Sequence, residues 1–166
     1  MDEAEMRKNA EFLMEKLPGK EIPGEAKIKC RYKKMKGLAE CFGITNPKYV
    51  GEEEEIVACH AFANSFTVKS FYILIPGTKL ELPDGTTRDF LLNPGKLLHA
   101  GNRYNWEGCV PIRPGDKLVG KGKWADVWLV EKNMTLFADL ELTVKNQNDE
   151  LVCRVFTRAA VRPGGY

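Results

Sequence analysis

From Met134 to Val144 the chain alternates apolar and polar with a period of two. Met134, Leu136, Ala138, Leu140, Leu142 and Val144 share one side, and Thr135, Asp139, Glu141, Thr143 and Lys145 share the other. That pattern predicts a strand of an antiparallel sheet with one buried face. Leu97 to Cys109, Lys117 to Glu131 and Glu150 to Arg162 are predicted as further strands, and Asn146-Gln147-Asn148-Asp149 as the turn into the last. Leu82-Pro83-Asp84-Gly85-Thr86 predicts a turn between two short strands, because Pro fixes φ and Gly accepts a positive one.

The first half reads as helical. Met6, Ala10, Leu13, Met14 and Leu17 recur at helical spacing behind an Asp2/Glu5 capping box, and Pro18-Gly19 ends the run. A polar link through Pro23-Gly24 leads to a short strand, Ala26 to Cys30. Met35, Leu38, Ala39 and Phe42 then mark one face of a second helix, with Gly43 as its C-terminal cap. From Ala61 a third helix is apolar nearly all round: Phe62, Ala63, Phe66, Val68, Phe71, Tyr72, Ile73 and Leu74, ended by Pro76-Gly77. A helix with no polar face must be buried on all sides. One such helix followed by a long antiparallel sheet predicts an α+β, hot-dog architecture, with the curved sheet wrapped around the helix. The expected organisation is an N-terminal helix and link over 1–23, a single domain over 24–162, and a tail over 163–166 that frays from Arg162 onward.

Composition narrows the class. With 166 residues, 43% hydrophobic, 29% charged and a net charge of +2, the chain reads as an ordinary globular domain, and nothing points to nucleic acid. The five cysteines (Cys30, Cys41, Cys59, Cys109, Cys153) lack metal-site spacing and predict buried, reduced thiols. The acidic first residues do not form a signal peptide, and Phe71 to Ile75 is far short of the ~20 apolar residues of a membrane span, so a cytoplasmic protein without membrane contact is expected.

Chemistry is suggested by Gly43-Ile44-Thr45-Asn46-Pro47-Lys48-Tyr49. It resembles the Gly-Asp-x-Asn-Pro-x-His motif of MaoC-like (R)-specific enoyl-CoA hydratases, in which Asp and His act as an acid/base pair. Gly43, Asn46 and Pro47 keep the frame, while Ile44 and Tyr49 hold the dyad positions. Isoleucine does not titrate, and an ordinary tyrosine titrates near ~10, so neither exchanges protons near neutral pH. Ile56-Val57-Ala58, Leu97-Leu98-His99-Ala100-Gly101, Pro114-Gly115-Asp116 and the segment from Val144 to Val152 are similar to the FAS1-like, N-terminal, degenerate half of the superfamily. The resemblance implies a non-catalytic subunit of a heteromeric enoyl-CoA hydratase or 3-hydroxyacyl-CoA dehydratase. It would shape the acyl-CoA tunnel in a heterodimer or heterotetramer while a dyad-bearing MaoC-like partner supplies Asp and His. It also implies no metal and no cofactor, the CoA thioester being the substrate.

Under that resemblance His60, Ala61, Phe62, Asn64 and Asn46 are the expected substrate-binding residues. His60 either hydrogen-bonds a thioester or water, or satisfies a backbone carbonyl at the start of the helix. A backbone N–H there would hold the thioester oxygen. Asn64 and Ser65 are polar groups on an apolar helix that a substrate or the local backbone would satisfy. Tyr49 retains a hydrogen-bond donor, and His99 suits packing or an interface. Asp84, Asp116 and Asp126 read as solvated carboxylates, and Lys33-Lys34 and Lys121-Gly122-Lys123 as exposed lysines or contacts for CoA phosphates. Trp106, Trp124 and Trp128 suit core or interface. Two other functions remain open: a self-sufficient homodimeric hydratase or thioesterase using His60, His99 or Glu107, and a non-enzymatic acyl-CoA binding module.

Overall fold

Asp2 caps the first helix, α1 (Glu3–Lys16): its Oδ1 accepts from the Glu5 N–H at 2.9 Å, one half of the expected box. Ala10, Leu13 and Leu17 of this segment are buried. The Gly19 N–H then donates to the Trp124 carbonyl at 2.7 Å, which ties the helix end to the sheet. The computed structural model describes residues 2–70, 77–90 and 92–166, and only the backbone of 68–70.

β1 (Glu21–Lys29) starts earlier than expected, because Pro23-Gly24 lies inside the strand, where the register shifts between Ile22 and Glu25. Proline has no N–H to give a ladder, and an irregular edge strand is where it is tolerated. α2 (Tyr32–Cys41) buries Met35 and Ala39. Phe42, expected on that face, is 62% exposed, since it lies one residue beyond the last helical turn and no longer follows helical spacing.

The sheet order is β1-β5-β6-β7-β4, every pair antiparallel, with β4 (Leu97–Asn105), β5 (Lys117–Val130), β6 (Thr135–Lys145) and β7 (Leu151–Val161). β6 is central and its burial alternates without a break. Leu136, Ala138, Leu140, Leu142 and Val144 face inward beside Leu118 and Trp124 of β5 and Val155, Ala159 and Val161 of β7. Burying each large side chain of this set stabilises the fold by about 1.5–3 kcal/mol. Met134, expected in the strand, precedes it in a left-handed conformation (φ 50°). β4 leaves the sheet at Asn105, short of the expected Cys109, because Gly108 (φ 68°) turns the chain. A bulge between His99 and Gly101 interrupts its register with β7.

A 3-10 turn (His60–Ala63) leads into α4 (Asn64–Ser70), which packs against β1 with Phe62, Ala63, Phe66 and Thr67 buried. The expected α-helix from Ala61 thus starts with a tighter turn. Phe71, Tyr72, Ile73, Leu74 and Pro76, expected to complete it, lie outside the described residues. β2 (Thr78–Glu81) and β3 (Thr87–Phe90) form the expected hairpin, with Thr78 accepting from Trp124 Nε1 at 2.9 Å.

The tail does not fray. Tyr166 is 6% exposed and its hydroxyl donates to the Met134 carbonyl at 3.0 Å. A Cβ on Gly165 would lie 2.6 Å from Lys96 Cβ and 2.7 Å from Val161 Cγ1. The thiols divide unlike the expectation: Cys30, Cys59 and Cys153 are buried, Cys41 is exposed and Cys109 half-buried, all free. Burial pushes the Cys30 and Cys153 thiols up to about 12, with the Asp116 carboxylate adding to the effect at Cys30.

Tyr166→Ala is expected to cost about 3 kcal/mol in urea unfolding, where a frayed end would give less than about 0.5. A raised thiol pKa stabilises the fold fully below the ordinary thiol value of 9.0, and that stability is lost as pH rises through it toward about 12. The urea midpoint is therefore expected to fall over that interval. With a thiol reagent at about pH 8, Cys41 should react in the folded protein, whereas Cys30 and Cys153 should react only after unfolding.

Candidate functional site

Gly43 (φ 69°) ends α2, and the Ile44 N–H returns to the Ala39 carbonyl at 3.1 Å. Asn46 then caps α3 (Pro47–Val50): its Oδ1 accepts from the Lys48 N–H at 3.0 Å, and Pro47 occupies the first helical position. The Tyr32 hydroxyl donates to the Gly51 carbonyl at 2.8 Å, and the Val57 N–H to the Lys48 carbonyl at 2.9 Å. These bonds hold residue 49 in place whatever its side chain. The frame of the motif is therefore built here without a proton-transfer group on it.

Beside α3 lies a cleft of about 180 Å³. Val57, Val110, Pro111 and Ile112 give it apolar walls, and Lys48, Tyr49 and His60 bring polar groups. The His60 ring stacks on the Trp106 indole, centroids 4.5 Å apart and planes 13° from parallel. His60 and Tyr49 thus share one cleft. Trp106, expected in core or interface, packs against the edge of the core and also lines the cleft, carried there by the turn that follows β4.

A second polar group lies where α4 meets the inner face of β4. The Tyr104 hydroxyl donates to Asn64 Oδ1 at 2.6 Å and accepts from Asn102 Nδ2 at 3.1 Å. Asn102 Oδ1 accepts from the Thr157 hydroxyl at 2.9 Å and lies 2.9 Å from His99 Nε2. Thr67 Oγ1 donates to the Ala63 carbonyl at 2.9 Å and sits 3.2 Å from the Tyr104 oxygen. Tyr104 and Trp106 lie 6.3 Å apart, so one row, Asn102, Tyr104 and Trp106, runs from the polar group to the cleft. Sequence reasoning passed over Asn102, Tyr104 and Thr157. The available signal was polar and aromatic residues two apart in a predicted strand, which places them on one face of it.

The other expected residues separate. The Phe62 N–H closes the 3-10 turn on the Cys59 carbonyl at 2.9 Å and its ring is buried, while Ala61 is half-buried in the same turn. Asp116 is 8% exposed rather than solvated: it accepts from the Arg113 N–H at 2.7 Å and from Gln147 Nε2 at 3.1 Å, holding the Pro114-Gly115 turn. Lys121 and Lys123 pair with Glu25 and Glu141 at 3.4 and 3.0 Å. Among the described residues no group of three His, Cys, Asp or Glu is placed to hold a metal ion, and no helix is long and apolar enough to cross a membrane.

An antiparallel sheet curved over a helix, with an Asn-Pro-capped turn beside the helix start, defines a hot-dog domain. The fold is shared with the MaoC-like dehydratase from Rhodospirillum rubrum (TM-score 0.58, 17% identity, covering 84% of this chain and 89% of that one). It is shared also with the R-hydratase PhaJ1 from Pseudomonas aeruginosa (TM-score 0.56, 15% identity, 83% and 78% covered). A third neighbour is the C-terminally truncated HadBC (3R-hydroxyacyl-ACP dehydratase) complex from Mycobacterium tuberculosis (TM-score 0.54, 16% identity, 85% and 93% covered). The profile of the FAS1-like, dehydratase domain region matches residues 16–155, and the chain belongs to that family of MaoC-like hot-dog domains. Comparison with curated proteins finds no match in sequence.

Asn46→Ala is expected to lower unfolding free energy by about 1 kcal/mol, and Asn46→Asp to keep most of it, because either side chain caps α3. Urea titration checks this; equal midpoints for wild type and Asn46→Ala would remove the cap from the account.

Proposed function

We propose that this chain is the dyad-lacking subunit of a heteromeric hot-dog enzyme that hydrates trans-2-enoyl-CoA, or in reverse dehydrates 3-hydroxyacyl-CoA. The observation that carries the reading is the capped Asn46-Pro47 frame with Ile44 and Tyr49 on it. A chain that keeps the scaffold of an acid/base pair and lacks the pair needs both groups from elsewhere. The partner's His and Asp would position and deprotonate water for attack at C3, and return a proton to C2. This chain would supply the apolar wall of Val57, Val110, Pro111 and Ile112, the His60–Trp106 stack, and hydrogen-bond donors at Tyr49 and Asn64. Edge strand β4 holds no buried residue, in keeping with a site that is covered only when a second chain is present. That HadBC was solved as a complex supports the same assembly. CoA thioester as the substrate, no further cofactor and a cytoplasmic setting belong to this reading.

A second reading draws on His60, which shares the cleft with Tyr49. There the chain would act alone, with His60 as its base.

The test is to express the chain alone and with a short MaoC-like chain of the same genome that carries Asp-x-Asn-Pro-x-His, and to assay each for hydration of trans-2-enoyl-CoA. Turnover is expected only from the complex, with a loss of at least about a hundredfold when the partner's Asp or His is replaced. Turnover by the lone chain that His60→Ala abolishes would replace this reading with the second.

A further inference from the structure

We propose that Tyr104 is a positioning residue: it fixes the side-chain amide of Asn64 so that the NH2 end donates a hydrogen bond to the thioester carbonyl of the acyl-CoA. The inference rests on the function proposed above.

An asparagine amide is nearly symmetric in shape, and only its hydrogen-bond partners decide which end is oxygen. Here the partners form an ordered series. The Thr157 hydroxyl, on a residue only 1% exposed, donates to Asn102 Oδ1, and His99 Nε2 approaches the same oxygen. That turns Asn102 Nδ2 toward Tyr104, whose oxygen accepts at 3.1 Å. With its lone pair so engaged, the phenol directs its single hydrogen to Asn64 Oδ1 at 2.6 Å. Thr67 Oγ1, whose own hydrogen goes to the Ala63 carbonyl, is the other acceptor within reach of the phenol at 3.2 Å, and Asn64 Oδ1 at 2.6 Å is the nearer of the two. Each group hands one hydrogen forward, and such series strengthen one another in a partly dry setting. The series ends on Asn64, an exposed residue whose oxygen is held toward Tyr104 and whose planar amide therefore turns its NH2 end the other way.

An amide NH2 donates, and the complementary ligand group is an acceptor. In an enoyl thioester that is the carbonyl oxygen, which gains negative charge as water adds at C3 and holds the bond more strongly then. The location agrees: Tyr104 lies in the row that continues through Trp106 to His60 and the cleft. The rest of the inner sheet face is apolar, so this polar row at its open edge is where a polar part of the substrate fits.

The experiment uses the complex with the dyad-bearing chain and compares wild type, Tyr104→Phe, Asn64→Asp, Asn64→Ala and the Tyr104→Phe/Asn64→Ala double variant. Initial rates on trans-2-enoyl-CoA give kcat and KM, and calorimetry gives Kd for the saturated acyl-CoA. Tyr104→Phe keeps the ring and removes one hydrogen; kcat/KM is expected to fall about tenfold, most of it in kcat. Asn64→Asp keeps an acceptor for Tyr104 and replaces the donor, so it should fold as wild type and lose at least as much. The double variant should be no worse than Asn64→Ala, because Tyr104 acts through Asn64. Wild-type kinetics in Asn64→Asp, or effects of Tyr104→Phe and Asn64→Ala that multiply, would overturn the positioning role while leaving the proposed function standing. Absence of turnover in the wild-type complex would overturn the proposed function, and this inference with it.

Discussion

The inner face of the five-stranded sheet is the constraint on which the molecule depends. Leu136, Leu140, Leu142 and Val144 of β6, with Val155 and Val161 of β7, form an apolar surface that water disfavours and that no strand can cover from within the sheet. Phe62 and Phe66 cover part of it by bringing the chain across as a 3-10 turn and helix, and Leu13 and Leu17 extend the cover. Two polar features sit around that crossing: the cleft beside its start, and the polar row where it meets β4.

Frame and chemistry separate cleanly at the Asn-Pro turn. The bonds that shape α3 come from the Asn46 side chain, the backbone of Lys48 and Tyr49, and the Tyr32 hydroxyl, and none involves the side chains of residues 44 and 49. A scaffold held this way folds equally well with or without titratable groups on it. Loss of the dyad therefore need not disturb the domain, and the site of a two-chain enzyme can be divided between a subunit that reacts and one that encloses.

How much was legible in the sequence follows from how local each cause is. β6 could be read residue by residue, because a central strand with one buried face prints its period directly into composition. The Asp2 cap, the Pro83-Asp84-Gly85 turn and the Gly43 stop are equally local. Phe42 was misplaced because helical spacing was carried one residue past the helix end. Pro23-Gly24 looked like a link because a bulged edge tolerates residues that a regular strand does not. Burial of Tyr166 and Asp116 depends on partners 32 and 31 residues away, Met134 and Gln147, and no window along the chain contains both ends. Asn102 and Tyr104 escaped for a similar reason: their partners Thr157 and Asn64 come from other elements, 55 and 40 residues distant.

The bulge in β4 has one more effect. In a regular strand residues three apart point to opposite faces, so His99 and Asn102 would be on different sides of the sheet. The extra residue at Ala100 spends one position without advancing the pairing with β7, and both side chains turn inward, 2.9 Å apart. What the bulge changes is parity: odd-numbered residues face in before it and even-numbered ones after it. A spacing of three, which a reader of sequences assigns to a helix, is here a contact written into a strand.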